Sequence, residues 1–341
     1  MRIAQLMAGA AQGGAELFYE RMTIALAGAG NEVLPVIRAE PGRLERLREA
    51  GLAPVTTRYG GVLDIRSKPI IAAALRDFRA EIAIAWMSRA AMFAPRGDWT
   101  LVGRLGGYYD LKYFRRCDHL VGNTKGIVRW IAEQGWPRAN VHYWPNFVDD
   151  FVATPASSRV ELGVPVGVPL VLALGRLHAV KGFDVLIRAM AQLPDAHAVI
   201  AGAGPERSAL ERLVVECGLG DRVHLPGWRG DAGALLKAAD VFVSSSRHEP
   251  LGNMVLEAFS AGTPVVAASA EGPSEVIHDG EDGLLVPIDD PARLAGAIRS
   301  VLDDRQKGAG LAAAGRARFE AEFERAAVLR VWQDALHGLV R

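Results

Sequence analysis

The segment EPLGNMVLEAFSAGTPVV sets two carboxylates, Glu249 and Glu257, eight positions apart around Pro250-Leu251-Gly252-Asn253. The apolar run that follows has helical character, so the sequence predicts a loop carrying Glu249 and a helix carrying Glu257 about two turns in. A carboxylate accepts paired hydrogen bonds from vicinal hydroxyls, and the free N–H groups of a helix opening bind hydroxyls or an anion. One acid on the loop and one on the helix would hold two parts of one polyhydroxylated ligand. The plainer alternative makes Glu249 a helix cap and Glu257 a solvent-facing helix residue; its apolar neighbours Val255, Ala258 and Phe259 weigh against that.

Upstream, LVLALGRLHAVKG places Arg176 directly after a buried-strand pattern and Lys181 five residues later, before another helix. Arginine offers a fork for phosphate oxygens and lysine a point charge, so the pair reads as a diphosphate site. Two solvated loop cations are the alternative. Gly13 and Gly14, between the first strand and first helix, would let the backbone approach an anion at the helix N-terminus, or serve the turn alone. Gly202-Ala203-Gly204-Pro205-Glu206 is either a tight turn or part of a nucleotide wall. The stretch Glu271–Ile277, in which Gly272-Pro273 lead into a helix, is read as structural.

These loops need a scaffold. Short apolar runs alternate with helical segments, the grammar of βαβ units and parallel sheets. Strands are predicted at 2–7, 32–37, 54–57, 82–86, 100–105, 119–122 and 141–143, with helices near 15–29, 44–50, 69–78 and 125–134. Residues 145–169 are rich in proline, glycine and small polar residues and mark a domain boundary. Beyond it the apolar runs are continuous rather than alternating, as expected of strands covered on both faces. The fold class is therefore α/β, with two doubly wound Rossmann-like domains. A last helical stretch at 324–339 has no strand after it and must bury its apolar side, which returns it to the first domain.

Composition narrows the partners. The chain has 341 residues and no formal net charge, so no global field draws it to nucleic acid. Residues 1–150 hold 20 basic and 15 acidic residues against 19 and 24 in 151–341, a hint that the first half meets something anionic. The two cysteines, Cys117 and Cys217, lie too far apart for a metal knuckle and fit a reducing cytoplasm. No apolar run reaches the ~18 residues a membrane-spanning helix needs, and the N-terminal run, interrupted by Gln5, reads as a buried strand rather than a signal peptide.

Taken together, Gly13-Gly14-Ala15-Glu16, the linker Pro145-Asn146-Phe147-Val148-Asp149, Gly175-Arg176 with Lys181-Gly182, Gly202-Ala203-Gly204-Pro205 and the Glu249/Glu257 pair resemble retaining family 4 glycosyltransferases of the GT-B fold. The resemblance covers nearly the whole chain and is strongest over 170–287. It implies two domains facing across a cleft: an acceptor-side domain at 1–150, a nucleotide-sugar domain at 151–322, and a C-terminal helix at 323–341 packing back on the first. It also implies that Arg176 and Lys181, with Gly13 and Gly14, bind the donor diphosphate. Glu257 would bind the ribose and Glu249 would be the catalytic carboxylate, with backbone N–H groups of Leu251, Gly252 and Asn253 at the donor sugar.

Many relatives carry an acceptor-side histidine. Here that stretch reads GRLGGYYDLKYFRRCD, and only His119 and His142 occur in the first half, both in or beside predicted strands. Arg104, Tyr108, Tyr109 and Asp110 are the acceptor candidates in its place. The resemblance implies a UDP-sugar donor by default, retention of configuration, no cofactor, and no metal, consistent with the absence of a DxD motif. The acceptor is expected to be a saccharide or lipid-linked saccharide of lipopolysaccharide or capsule synthesis, met in the cytoplasm or peripherally at the inner membrane face. Competing readings are another GT-B enzyme, such as an epimerase or phosphorylase, and a sugar-nucleotide-binding subunit without turnover.

Overall fold

The computed structural model, which describes residues 1–10, 13–61 and 63–340, divides the chain into two compact units. One unit comprises Met1–Phe147 with Arg325–Arg341, the other Val148–Glu324. The junctions thus fall a few residues from the 150/151 and 322/323 positions read from the sequence. Among the described residues, no helix is long and apolar enough to cross a membrane.

The first unit runs β1 (Arg2–Met7), α1 (Gly14–Gly28), β2 (Glu32–Arg38), α2 (Pro41–Glu49), β3 (Val55–Thr57), α3 (Ser67–Asp77), β4 (Ile82–Trp86), α4 (Met87–Phe93), β5 (Thr100–Leu105), β6 (His119–Gly122), α5 (Lys125–Glu133) and β7 (Val141–Tyr143). Its sheet is parallel throughout, in the order β3-β2-β1-β4-β5-β6-β7. Both faces of β1 are buried: Ala4 and Leu6 pack into one apolar layer, Ile3 and Met7 into the other. That is why the strand reads as continuous apolar sequence rather than as an alternation.

Several helix ends differ from the sequence reading because side-chain caps move them. Glu40 accepts hydrogen bonds from the N–H groups of Gly42 and Arg43 and starts α2 at Pro41, three residues earlier than apolar periodicity places it. Thr124 caps α5 through Ile127 N. The short α4 is absent from the sequence reading. It begins at Met87, which holds a left-handed φ of 62° immediately after β4.

The second unit runs β8 (Leu170–Leu174), α6 (Phe183–Met190), β9 (His197–Ala201), α7 (Arg207–Glu216), β10 (Val223–Gly227), α8 (Ala232–Ala238), β11 (Val241–Ser244), α9 (Asn253–Ala261), β12 (Val265–Ala268), α10 (Glu271–Val276), β13 (Leu284–Val286), α11 (Pro291–Asp303) and α12 (Arg305–Arg318). Its parallel sheet has the order β10-β9-β8-β11-β12-β13. The central strand β8 again divides its side chains, Val171 and Ala173 to one layer, Leu170, Leu172 and Leu174 to the other. In each sheet the strand order reverses beside the first strand of its unit, between β1 and β4 and between β8 and β11. The loops leaving the carboxyl ends of those strands border the crevice where such sheets bind ligands.

The final helix, α13 (Arg325–His337), completes the first unit. Trp332 is fully buried, its ring 4.7 Å from that of Trp144 and 6.0 Å from that of Trp86, and its Nε1 donates to the Pro145 carbonyl at 2.9 Å. An indole buries a large apolar area while its one N–H finds a partner, so this residue anchors the returning chain.

Candidate active site

At the switch point of the second unit, the loops after β8 and β11 are knitted together. After β8, Gly175 N donates to the Ala201 carbonyl at 3.1 Å and Leu177 N to that of Ala203 at 2.9 Å. A Cβ on Gly202 would overlap the Gly175 carbonyl oxygen, which assigns the Gly202–Gly204 stretch to close backbone packing. The chain then makes a single short turn at Ala179–Lys181, closed by Gly182 at φ 60°. A Cβ on Gly182 would overlap the Ser245 carbonyl oxygen, and the Ser245 hydroxyl donates to the Lys181 carbonyl at 3.0 Å. Lys181 is thereby held against the exit of β11.

Its ammonium pairs directly with the Glu249 carboxylate, both groups being mostly shielded from solvent. Arg176 is exposed and makes no ion pair among the described residues. The diphosphate-type cation and the loop carboxylate picked out by spacing alone thus meet, although 68 residues separate them.

Glu249 caps no helix. Gly252, left-handed at φ 82°, precedes α9, which starts at Asn253 without a side-chain cap. Glu257 therefore sits just over one turn into α9, not two, and is only 5% exposed, which removes the solvent-facing alternative. Leu251 and Gly252 are buried and Asn253 provides the first helical N–H.

Two residues the sequence reading missed organise this loop. Arg247 donates a fork to Asp184 at 2.8 and 2.7 Å, a third bond to Asp289 at 2.6 Å and a fourth to the Ala179 carbonyl at 2.8 Å. It ties the Lys181 turn to the Glu249 loop. Burial pushes the Asp184 carboxyl upward, but the Arg247 bonds outweigh it and hold it below its ordinary range, while the guanidinium is raised in turn. Glu271 bonds His248 Nδ1 at 2.8 Å and accepts from Glu249 N at 3.3 Å, and Gly272 N donates to the Glu249 carbonyl at 2.7 Å. The 271–277 stretch, expected to be merely structural, thus braces the backbone of Glu249. Arg247 lies two residues from Glu249 on a strand exit, a position that could have flagged it; Glu271 carries no comparable local signal.

In the first unit, the opening of α1 is covered by its own acid. The Glu16 carboxylate lies over Gly13 and accepts from Ala10 N at 2.9 Å, with Gly14 the first helical residue. The acceptor candidates diverge. Arg104 stands in β5, the strand read from sequence at 100–105, and is buried, its Nη2 donating to Asn146 Oδ1, while burial pulls it down to about 9. Tyr109 is half-buried near it, while Tyr108 packs edge-on against Trp130 on the surface. Asp110 is exposed, paired with Lys112 at 2.5 Å and capping the short turn at Leu111–Phe114. His119 and His142 bond each other at 3.0 Å across β6 and β7.

Comparison with known proteins now decides the family. The model of glycosyl transferases group 1 matches residues 156–318, the span holding Arg176, Lys181, Glu249 and Glu257. The lipopolysaccharide core biosynthesis glycosyltransferase LpsE of Rhizobium meliloti (strain 1021) is 36% identical over 95% of this chain and 96% of its own. The chain belongs to the group 1 glycosyltransferases. A second relative from that organism, the lipopolysaccharide core biosynthesis glycosyltransferase LpsD, is also 36% identical, over 95% of this chain and 94% of its own. Among solved structures, Anabaena Alr3699/HepE in complex with UDP superposes at a TM-score of 0.86 with 22% identity, covering 99% of this chain and 100% of that one. A glycosyltransferase from Rickettsia africae ESF-5 reaches 0.89 with 16% identity, covering 100% and 98%. These likenesses establish the two-domain, doubly wound GT-B-type fold for this glycosyltransferase.

Proposed function

We propose that this glycosyltransferase moves a sugar from a UDP-sugar to a saccharide of the lipopolysaccharide core, with retention of configuration and without a metal. The observation that carries the reading is the Lys181–Glu249 contact at the sheet's switch point, which brings a phosphate-binding cation against a carboxylate on the neighbouring loop. The two lipopolysaccharide core biosynthesis glycosyltransferases that this chain resembles support the acceptor class, and the UDP in the Anabaena structure supports the donor.

In this mechanism the donor's diphosphate draws the Lys181 ammonium away from Glu249 and takes Arg176 as its second cation. Fixed cations then stabilise the negative charge that develops as the sugar C1–phosphate oxygen bond breaks, the task a metal performs elsewhere. Glu249, released from Lys181, faces the positive charge growing on the sugar ring. The N–H groups of Leu251, Gly252 and Asn253 hold the sugar hydroxyls, and buried Glu257 accepts from the ribose. The acceptor hydroxyl bonds C1 on the face that the diphosphate leaves, and its proton departs with the leaving phosphate oxygen. Acceptor contacts come from Arg104, Tyr108, Tyr109 and Asp110. The protein works in the cytoplasm and meets its acceptor at the inner membrane face; absence of binding to liposomes at low salt would count against the latter.

The test is turnover of UDP-, GDP- and ADP-sugars by purified protein, following nucleoside diphosphate release with EDTA present, with NMR of the product's anomeric centre. Release from one donor, lost in Lys181→Ala and Glu249→Ala, is expected. Donor binding without turnover, with or without envelope saccharides, would replace the transferase reading with a binding subunit.

A further inference from the structure

Arg104 is 1% exposed, yet among the described residues no carboxylate pairs with it. Its guanidinium lies 4.5 Å from the centre of the Trp86 ring and 5.1 Å from that of Phe18, contacts that recover part of its lost hydration. Gln5 Oε1 accepts from Trp86 Nε1 at 2.5 Å and fixes that ring. Among the described residues the guanidinium makes one hydrogen bond, through Nη2 to Asn146, and its buried Nε has no partner. A fold that buries a cation without a counter-charge has placed it at a cost that packing alone does not return.

The surroundings supply a seat for the missing charge. At Gly106, the point where a Cβ would stand is 3.1 Å from Arg104 Nη1 and 4.0 Å from both the Tyr109 hydroxyl and the Asn123 side-chain amide. Asn123 is buried as well, and the atom it turns to that point is the donor nitrogen Nδ2. Because Gly106 carries no side chain, none stands among these three groups. The seat lies at the carboxyl ends of β5 and β6, and Met87, with its left-handed backbone, leaves β4 beside them.

We propose that Arg104, the Tyr109 hydroxyl and the Asn123 amide form an anion-binding subsite that receives a carboxylate or phosphate borne by the acceptor, which is therefore an acidic saccharide. This deepens the acceptor half of the proposed function and rests on it. A guanidinium edge meets a carboxylate or phosphate through parallel N–H bonds, which lysine or a neutral donor does not reproduce.

The test is titration calorimetry of the full-length protein with methyl glucuronoside, glucose 6-phosphate, methyl glucoside and inorganic phosphate, for wild type, Arg104→Met and Arg104→Lys. One acidic sugar is expected to bind at least about tenfold more tightly than methyl glucoside. Arg104→Met should abolish that preference and Arg104→Lys keep part of it. The melting temperature of Arg104→Met should hold or rise, since an unpaired buried charge has gone. Equal affinity for acidic and neutral sugars, an undiminished preference in Arg104→Met, or inorganic phosphate binding as tightly as the sugars would overturn the proposal. A fall in melting temperature with the Lys variant behaving like the Met variant would also overturn it, marking Arg104 as a packing residue. Donor turnover is a separate measurement, so failure of every donor would sink the transferase reading while leaving this binding result to stand or fall by itself.

Discussion

Replacing Arg247 with methionine removes a clamp rather than a reacting group, and its cost can be worked from four bonds. Two join Asp184 at 2.8 and 2.7 Å, one joins Asp289 at 2.6 Å and one the Ala179 carbonyl at 2.8 Å. Hydrogen bonds involving charge contribute about 1.5–3 kcal/mol each when sheltered. The Arg247 side chain is 32% exposed and its partners 35% and 54%, so water screens and competes for each bond. The whole clamp should then stabilise the second unit by about 1–2 kcal/mol, a fall of roughly 2–8 °C in Tm for a unit of this size. Activity should suffer more than stability. Without the tether, the turn bearing Lys181 is free to move relative to the Glu249 loop, and a misplacement near 1 Å costs on the order of a hundredfold. We expect kcat/KM for the donor to fall about 10- to 100-fold at a temperature where the variant is fully folded, equivalent to roughly 1.4–2.7 kcal/mol of lost transition-state stabilisation. Arg247→Lys should recover little, because it keeps the charge but not the fork. Steady-state kinetics beside a melting curve decide the matter: a lowered Tm with kcat/KM within twofold of wild type would show that the clamp serves stability alone.

Gly182→Ala should lower the unfolding free energy by at least about 2 kcal/mol, because the left-handed backbone disfavours a Cβ and that Cβ would overlap the Ser245 carbonyl oxygen. An unchanged urea midpoint would refute the close-approach argument. Burial, reinforced by a neighbouring histidine, lowers the pKa of His142 and His197, and burial lowers that of His224, below the ordinary 6.5. In the window between the folded and unfolded values the unfolded chain binds more protons. Stability is therefore complete above about 6.5 and is lost as pH falls through the depressed folded values. Chemical denaturation between pH 8 and 5 should show this decline, and a flatter profile in His142→Gln should accompany it.

Much of the scaffold was legible because burial on both faces leaves its mark on every strand residue. The runs 2–7, 82–86, 100–105, 119–122 and 141–143 are strands with the bounds read from sequence. Helix ends were read less well. The start of α2 depends on Glu40, and α4 starts at a left-handed Met87 that no periodicity announces. Arg176, Lys181 and Glu249 were chosen from sequence by their places in loops that follow strands, and Glu257 by its spacing from Glu249 and its apolar helix neighbours.

What sequence could not supply is everything that depends on two distant loops touching. Spacing chose Lys181 and Glu249 separately; only the adjacency of β8 and β11 makes them an ion pair. Arg247 and Glu271 look like ordinary charged loop residues until the fold brings Asp184, Ala179 and the Glu249 backbone to them. The same holds for Arg104, whose strand position was read from sequence but whose burial without a paired carboxylate among the described residues was not. Local sequence determines which segments become strands and helices, because burial pattern and caps act over a few residues. Pairing, shielding and the desolvation of a charge are set by neighbours from remote segments, and these only the tertiary structure decides.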